Sequence, residues 1–195
     1  MAKTYEATDP ATPPDRSQVV LVGIDGEPTA VVDKIEAHLA PGRLHLAFSV
    51  FLYRADGRTL LQRRAKSKYH FPGYWANACC SHPGPHEDLR MSAMRRVVEE
   101  LGITCELRSA SSFVYRAVCP VSGLVEHELD QVFIGLTDAE PTPAPDEVDE
   151  TSWCTPGEIR AGLPEGDHAP WLAEALVLAE QARAAAGWPD YAAGP

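Results

Sequence analysis

Long hydrophobic runs are missing from this 195-residue chain; none approaches the roughly eighteen apolar residues that cross a bilayer. An apolar signal core is missing too. Residues 1–17 are polar and rich in proline, and are expected to form a flexible leader. Positive charge is scarce, with 17 Lys and Arg against 28 Asp and Glu and a net charge of −11. That sign argues against a sequence-independent nucleic-acid binder. No nucleic-acid or membrane partner is expected. Cysteine numbers five, an odd count, with Cys79 and Cys80 adjacent. This argues against a disulfide framework and for a reducing, cytoplasmic setting. There is no internal repeat and no second core. Hydrophobic content of 45% with 23% charged residues is that of a globular chain. One monomeric domain over 18–187 is expected, with a short tail at 188–195.

What is present alternates strand and helix signals. Residues 18–22 read as a strand ended by the turn Asp25-Gly26-Glu27-Pro28. Residues 30–38 fit a second strand or one helical turn. Residues 44–53 begin with a clean alternation, Leu44, Leu46 and Phe48 on one face and His45, Ala47 and Ser49 on the other. Asp56-Gly57 is a hairpin signal that returns the chain through residues 59–62. Leu89, Ala93, Val97 and Leu101 recur every four residues, which predicts an amphipathic helix stopped by Gly102. On its outer face Arg95 can pair with Glu99, and Arg96 with Glu100. Residues 112–118 and 125–136 read as strands about a turn, and residues 148–153 as a last strand. Thr155 and Pro156 mark a helix start, and a C-terminal helix is predicted over about 170–185. The class is α+β, a mixed β-sheet with helices on both faces.

The chemistry-bearing residues gather around Ala76-Asn77-Ala78-Cys79-Cys80-Ser81-His82-Pro83, read as a loop that forms the floor of a site. Cys80, two residues from His82 and near cations, is in a setting that favours thiolate; Cys79 is an equal candidate on composition. Cys105, Cys119 and Cys154 lack such neighbours and read as structural. Glu126 and Glu128 leave one strand face together and repel unless a cation joins them. The alternative is an exposed polar face, against which stands the apolar continuation Val132-Phe133-Ile134. His38, His45 and His82 are the candidate nitrogen donors. With the two glutamates they make a five-ligand site for zinc, manganese or magnesium, although the spacing matches no short zinc signature. Arg63, Arg64, Lys66 and Lys68 are either a solvated run or a clamp for a diphosphate. Trp75 and Trp171 are either core anchors or walls facing a cation. The acidic stretch 140–150 reads as solvated surface.

Arg43-Leu44-His45-Leu46-Ala47-Phe48-Ser49, the basic run 63–68, and Trp75-Ala76-Asn77-Ala78-Cys79-Cys80-Ser81-His82-Pro83 together resemble the type 1 isopentenyl diphosphate isomerases. Tyr115-Arg116-Ala117 and Val125-Glu126-His127-Glu128 follow at matching distances, and the likeness spans about residues 18–179. The resemblance implies the Nudix fold, an α/β/α sandwich. Residues 87–102 are similar to a degenerate Nudix box in Glu87, Arg95, Glu99, Glu100 and Gly102. The pattern departs from the family's at Ser81, ahead of this range, where Gly is expected, and at Arg96, where a metal-holding Glu is expected.

Carried over by position, the resemblance implies that Cys80 is the catalytic thiol and Glu128, with Tyr115 beside it, the opposing acid or base. It implies that His38, His45, His82, Glu126 and Glu128 hold one divalent metal. Glu100 would hold a magnesium ion that arrives with the substrate diphosphate. Lys34, Arg64, Lys68 and Arg96 would contact that diphosphate, a small-molecule partner, and Trp171 would face the cationic centre. Two rival readings remain at this point, a Nudix pyrophosphohydrolase and a non-catalytic metal- or polyanion-binding module.

Overall fold

The structure, a computed structural model, describes residues 16–163 and 167–190. Most of the expected leader, and the last five residues of the tail, lie outside the described residues. In chain order the elements are β1 (Gln18–Val22), β2 (Pro28–Asp33), α1 (Lys34–His38), β3 (His45–Tyr53), β4 (Thr59–Arg64), β5 (Trp75–Asn77) and β6 (Cys79–Ser81). Then come α2 (Leu89–Leu101), β7 (Leu107–Val118), β8 (Val125–Leu136), β9 (Val148–Cys154), α3 (Pro156–Gly162) and α4 (Leu172–Ala185).

The nine strands form one mixed sheet. Its spine is β3, which pairs in parallel with β8 and antiparallel with β1, β4 and β6. Successive side chains on a strand face opposite ways, so β3 serves two cores. Phe48, Val50 and Leu52 pack with Ala93, Val97 and Leu101 of α2. Phe51 and Tyr53 pack with Leu172, Ala175, Leu176 and Ala179 of α4. Helices therefore cover both faces, as the α+β reading expects.

The α4 face changes character along its length. Phe51 and Ile134 are partners in the β3–β8 register, and so are Ser49 and Val132, Ala47 and Asp130, His45 and Glu128. One end of this face is apolar core. The other end carries His45, Ser49, Glu126, Glu128 and Asp130, all buried. The site is thus the polar continuation of a hydrophobic layer.

Local signals account for most elements. Asp33 caps α1 and Asp88 caps α2, each accepting a backbone N–H, and Gly102 ends α2 in the left-handed conformation. Thr155 and Glu158 form a capping box with Pro156 in the first turn of α3. Residues 30–38 divide into the end of β2 and α1. β7 begins at Leu107, five residues earlier than expected, because a register shift between Ser109 and Ser112 interrupts its alternation. The cysteine segment is not a loop. Trp75–Asn77 and Cys79–Ser81 are short strands that pair with β4 and β3 respectively.

Gly42 sets the approach of the chain to His45. Its φ is +81°, and a Cβ there would lie 2.6 Å from Val125 Cγ1. Gly123 also has a positive φ, +72°, but a Cβ there would meet nothing within 4 Å. Gly42→Ala is expected to destabilise the fold by about 3 kcal/mol, backbone strain plus overpacking. Gly123→Ala should lose only about 1 kcal/mol, from strain alone. Urea unfolding of both variants checks this; equal losses would show that the Val125 contact is not limiting.

Candidate active site

Five donors converge where β3, β8, α1 and the end of β6 meet. His38, the last residue of α1, has Nδ1 2.5 Å from the Lys34 carbonyl and Nε2 3.1 Å from Glu126 Oε2. His45, the first residue of β3, has Nδ1 2.8 Å from the Arg43 carbonyl. A carbonyl only accepts, so both Nδ1 atoms carry hydrogen and both Nε2 atoms point inward. His82 Nε2 lies 3.1 Å from His45 Nε2 and 2.8 Å from Glu128 Oε1. One donor atom from each of His38, His45, His82, Glu126 and Glu128 lies within 4.8 Å of all the others. All but His82, which is partly buried, are buried.

These residues fit a divalent metal ion. Inward lone pairs and two carboxylates repel one another unless a proton or a metal ion lies among them. Burial and Lys34 push His82 well below the usual imidazole range, which keeps its ring neutral and able to donate a lone pair. Burial and the neighbouring Glu126 both oppose ionisation of Glu128, yet protons on the facing nitrogens of His45 and His82, which a metal ion would displace, bring it down to about 2. Burial likewise opposes ionisation of Glu126, but His38 and His70 hold it well below the carboxylate range. Mixed nitrogen and oxygen donors suit several divalent ions and select none.

Tyr115 is the β7 partner of Glu128 in the strand register. Its hydroxyl donates to Glu128 Oε2 at 2.6 Å. Burial and the charge of Glu128 push the phenol well above its ordinary range, so it keeps its proton.

Cys80 enters from the other flank of β3, opposite Ser49. Its Sγ is 2.9 Å from Asn77 Oδ1, and Trp171 Nε1 is 3.1 Å from the sulfur and 3.0 Å from the same Oδ1. The Asn77 amide cannot flip, because its Nδ2 donates to the Val50 and Cys79 carbonyls at 3.1 and 2.9 Å. Its Oδ1 therefore accepts from the thiol. The expectation of a thiolate is overturned. Burial pushes Cys80 far up, and the opposing effect of Arg64 is too small to compensate. Strand alternation also separates the two cysteines. Cys79 points into the α2 core, while Cys80 lines the cavity.

That cavity measures about 350 Å³ and is lined by Cys80, His82, Tyr115, Glu126, Glu128 and Trp171 at its chemical end. Lys34, Arg64, Lys68 and Arg96 line it as well. Arg64 donates from Nε and Nη2 to the His70 carbonyl at 3.1 and 3.0 Å. Lys68 pairs with Glu147, and Arg96 pairs with Glu99, Glu100 and Glu147.

Several expectations need correction. Arg63 and Trp75 are register partners across β4 and β5, and neither lines the cavity. Arg63 turns out to Gly73 and Glu150, and Trp75 borders a separate hollow with His168. Trp75 is therefore no wall of this site. Glu100 is 1% exposed, lies outside the five-donor cluster, and is held by Arg96 and Gln62. Glu147, assigned to solvated surface, lies in the cavity wall and binds three cations, Arg16, Lys68 and Arg96. Arg16, assigned to the leader, lines the cavity too. His70 has no role in the sequence reading, and Asn77, although inside the cysteine stretch, is given none of its own. A buried amide or imidazole that supports another side chain has no signature in local periodicity.

Residues 43–177 match the NUDIX domain family. A solved structure of DR0079 from Deinococcus radiodurans has the same fold, with a TM-score of 0.69 at 20% identity, covering 83% of this chain and 98% of that one. The class is thus a Nudix-fold protein. Within it, an isopentenyl-diphosphate Delta-isomerase of Nocardia farcinica is 45% identical over 84% of this chain and 95% of its own length. Isopentenyl-diphosphate Delta-isomerase 1 of Aromatoleum aromaticum is 46% identical over 78% of this chain and 85% of its own length. The chain belongs to the isopentenyl-diphosphate Delta-isomerase family.

The five-donor geometry makes a direct prediction. Replacing a donor, as in His45→Ala or Glu126→Gln, should weaken binding of a divalent metal by more than about 100-fold, since even outer partners of metal ligands are worth 10–100-fold. His127→Ala, on the same strand but bonded to the Gly42 carbonyl, should leave binding unchanged. Equilibrium dialysis with metal analysis checks this; unaltered binding in His45→Ala would remove the cluster from consideration.

Proposed function

We infer that this chain is an isomerase of isoprenoid precursor synthesis that interconverts isopentenyl diphosphate and dimethylallyl diphosphate. The observation that carries the reading is that Cys80 and Glu128 open into one cavity from the two flanks of β3, with cations along the same wall. Isomerisation needs a proton added at C4 and another removed from C2. The C3–C4 π electrons form the new C4–H bond and leave a tertiary carbocation at C3. The C2–H electrons then form the C2–C3 double bond. An alkene is a poor base, so the donor must be a well-placed acid in a dry pocket.

Cys80, held as a neutral thiol, and Glu128 with Tyr115 are the two proton-handling groups in this proposal. Asn77 and Trp171 aim the thiol; Tyr115 aims the carboxylate. The Trp171 ring borders the same space, and its face stabilises a cation by up to about 2 kcal/mol when water is excluded. Lys34, Arg64, Lys68 and Arg96 bind the diphosphate away from the reacting carbons, and that binding energy orients the hydrocarbon. A metal ion on His38, His45, His82, Glu126 and Glu128, whether manganese, zinc or magnesium, would supply a Lewis acid that orients Glu128 and tunes its acidity. A magnesium ion accompanying the diphosphate would reach Glu100 only after Arg96 has turned to the phosphates. A cytoplasmic monomer acting on a small diphosphate completes the reading, in keeping with the acidic charge and the five free cysteines.

The hydrolase alternative needs Glu99 and Glu100 free for a catalytic metal. Here Arg95 lies 2.8 Å from Glu99 and Arg96 grips both carboxylates, which favours binding a diphosphate without cleaving it. Cys80→Ala and Glu128→Gln should each lower kcat by about 10²–10⁴-fold, the worth of a positioned acid or base. Pyrophosphate affinity should stay near wild type in Cys80→Ala. Steady-state kinetics and calorimetry check both statements, and near-normal turnover in either variant would strike that residue from the mechanism.

A further inference from the structure

His70 has no role in the scheme above, yet it touches both of its halves. The residue is 4% exposed. Its Nδ1 is hydrogen-bonded to Glu126 Oε1, while the other oxygen of that carboxylate, Oε2, lies 3.1 Å from His38 Nε2. Its ring centroid is 4.3 Å from that of His38. His70 is outside the set of donors that converge within 4.8 Å, so it grips a candidate ligand rather than acting as one. At the same residue, the backbone carbonyl receives both hydrogen bonds from Arg64, at 3.1 and 3.0 Å.

The surrounding turn is pinned from several directions. Phe71 has a φ of +43°, in the left-handed region. Its N–H donates to Cys119 Sγ at 3.2 Å. Gly73 N–H donates to the Arg64 carbonyl at 3.0 Å. Unfavourable backbone of this kind persists only where neighbours over-determine it. The Glu126 bond is the tie that fastens this turn to β8.

We propose that His70 is a positioning residue that locks the turn carrying it to Glu126, and so aligns the metal cluster and the Arg64 anion cradle in one rigid unit. The inference rests on the metal and diphosphate reading proposed above. It requires that loss of the imidazole weakens both sites, with His70 acting on the metal cluster through Glu126 and on the anion through the turn that holds Arg64.

The test uses full-length protein and two separate titrations. Manganese affinity is measured without anion, and pyrophosphate affinity is measured in EDTA without metal. His70→Gln places its amide near the Nε2 position and cannot reach Glu126 as Nδ1 does. His70→Asn keeps an N–H near the Nδ1 position. The expected result is a 10–100-fold loss of manganese affinity and a several-fold loss of pyrophosphate affinity in His70→Gln, with His70→Asn near wild type in both. Comparing two polar variants keeps the test valid should His70→Ala fail to fold. Wild-type affinity for either ligand in His70→Gln overturns the inference and leaves the isomerase reading intact. Failure of the wild-type protein itself to bind manganese, or to bind pyrophosphate even when magnesium is supplied, overturns both.

Discussion

Two carboxylates on one face of a buried strand repel, and a low-dielectric setting enlarges the penalty. Glu126 and Glu128 are in that position, and the structure answers them with imidazoles. His38 and His70 attend the first, His45 and His82 the second. These four rings come from α1, the start of β3, the turn after β4 and the residue following β6. Holding the pair of glutamates therefore dictates how four distant segments meet. A divalent ion among the inward-facing nitrogens and oxygens would complete the compensation that protein groups begin.

Parallel pairing of β3 and β8 makes this economical. The face that carries His45 and Glu128 at one end carries Phe51 and Ile134 at the other. One hydrophobic layer, closed by α4, thus braces the polar end without a separate support. Trp171 shows the join. It sits at the start of α4, packs in the apolar cluster, and points its indole N–H at both Asn77 and Cys80. Because Asn77 is itself locked by backbone carbonyls, the thiol is oriented by groups that cannot rearrange cheaply. Burial then keeps the sulfur protonated, which suits a proton donor to carbon better than a nucleophile.

Much of this was legible from residues alone where the signal was local. The amphipathic spacing from Leu89 to Leu101, the Gly102 stop and the Thr155 cap all depend on neighbours within a turn or two. The two-residue spacing of Glu126 and Glu128 foretold a shared face, and His38, His45 and His82 were already candidate donors that the resemblance then placed as ligands. What depended on distant pairing was lost. Cys79–Ser81 is too short to display a period and becomes a strand only by lying beside β3. Trp75 faces away because it pairs with Arg63, a fact of register that composition does not carry. Glu147 looked solvated because its partner Lys68 is 79 positions away. The thiolate expectation failed for a related reason: cations near Cys80 are visible in the sequence, whereas burial of its sulfur is not.

The central claim is that a cavity-lining thiol and a tethered carboxylate exchange protons with one five-carbon diphosphate. Proton NMR of isopentenyl diphosphate with the wild-type protein and magnesium in D₂O tests it most directly. The account predicts that dimethylallyl diphosphate accumulates with deuterium entering its C4 methyl group and then C2, while the diphosphate stays intact. Release of phosphate or pyrophosphate with no deuterium bonded to carbon would contradict it.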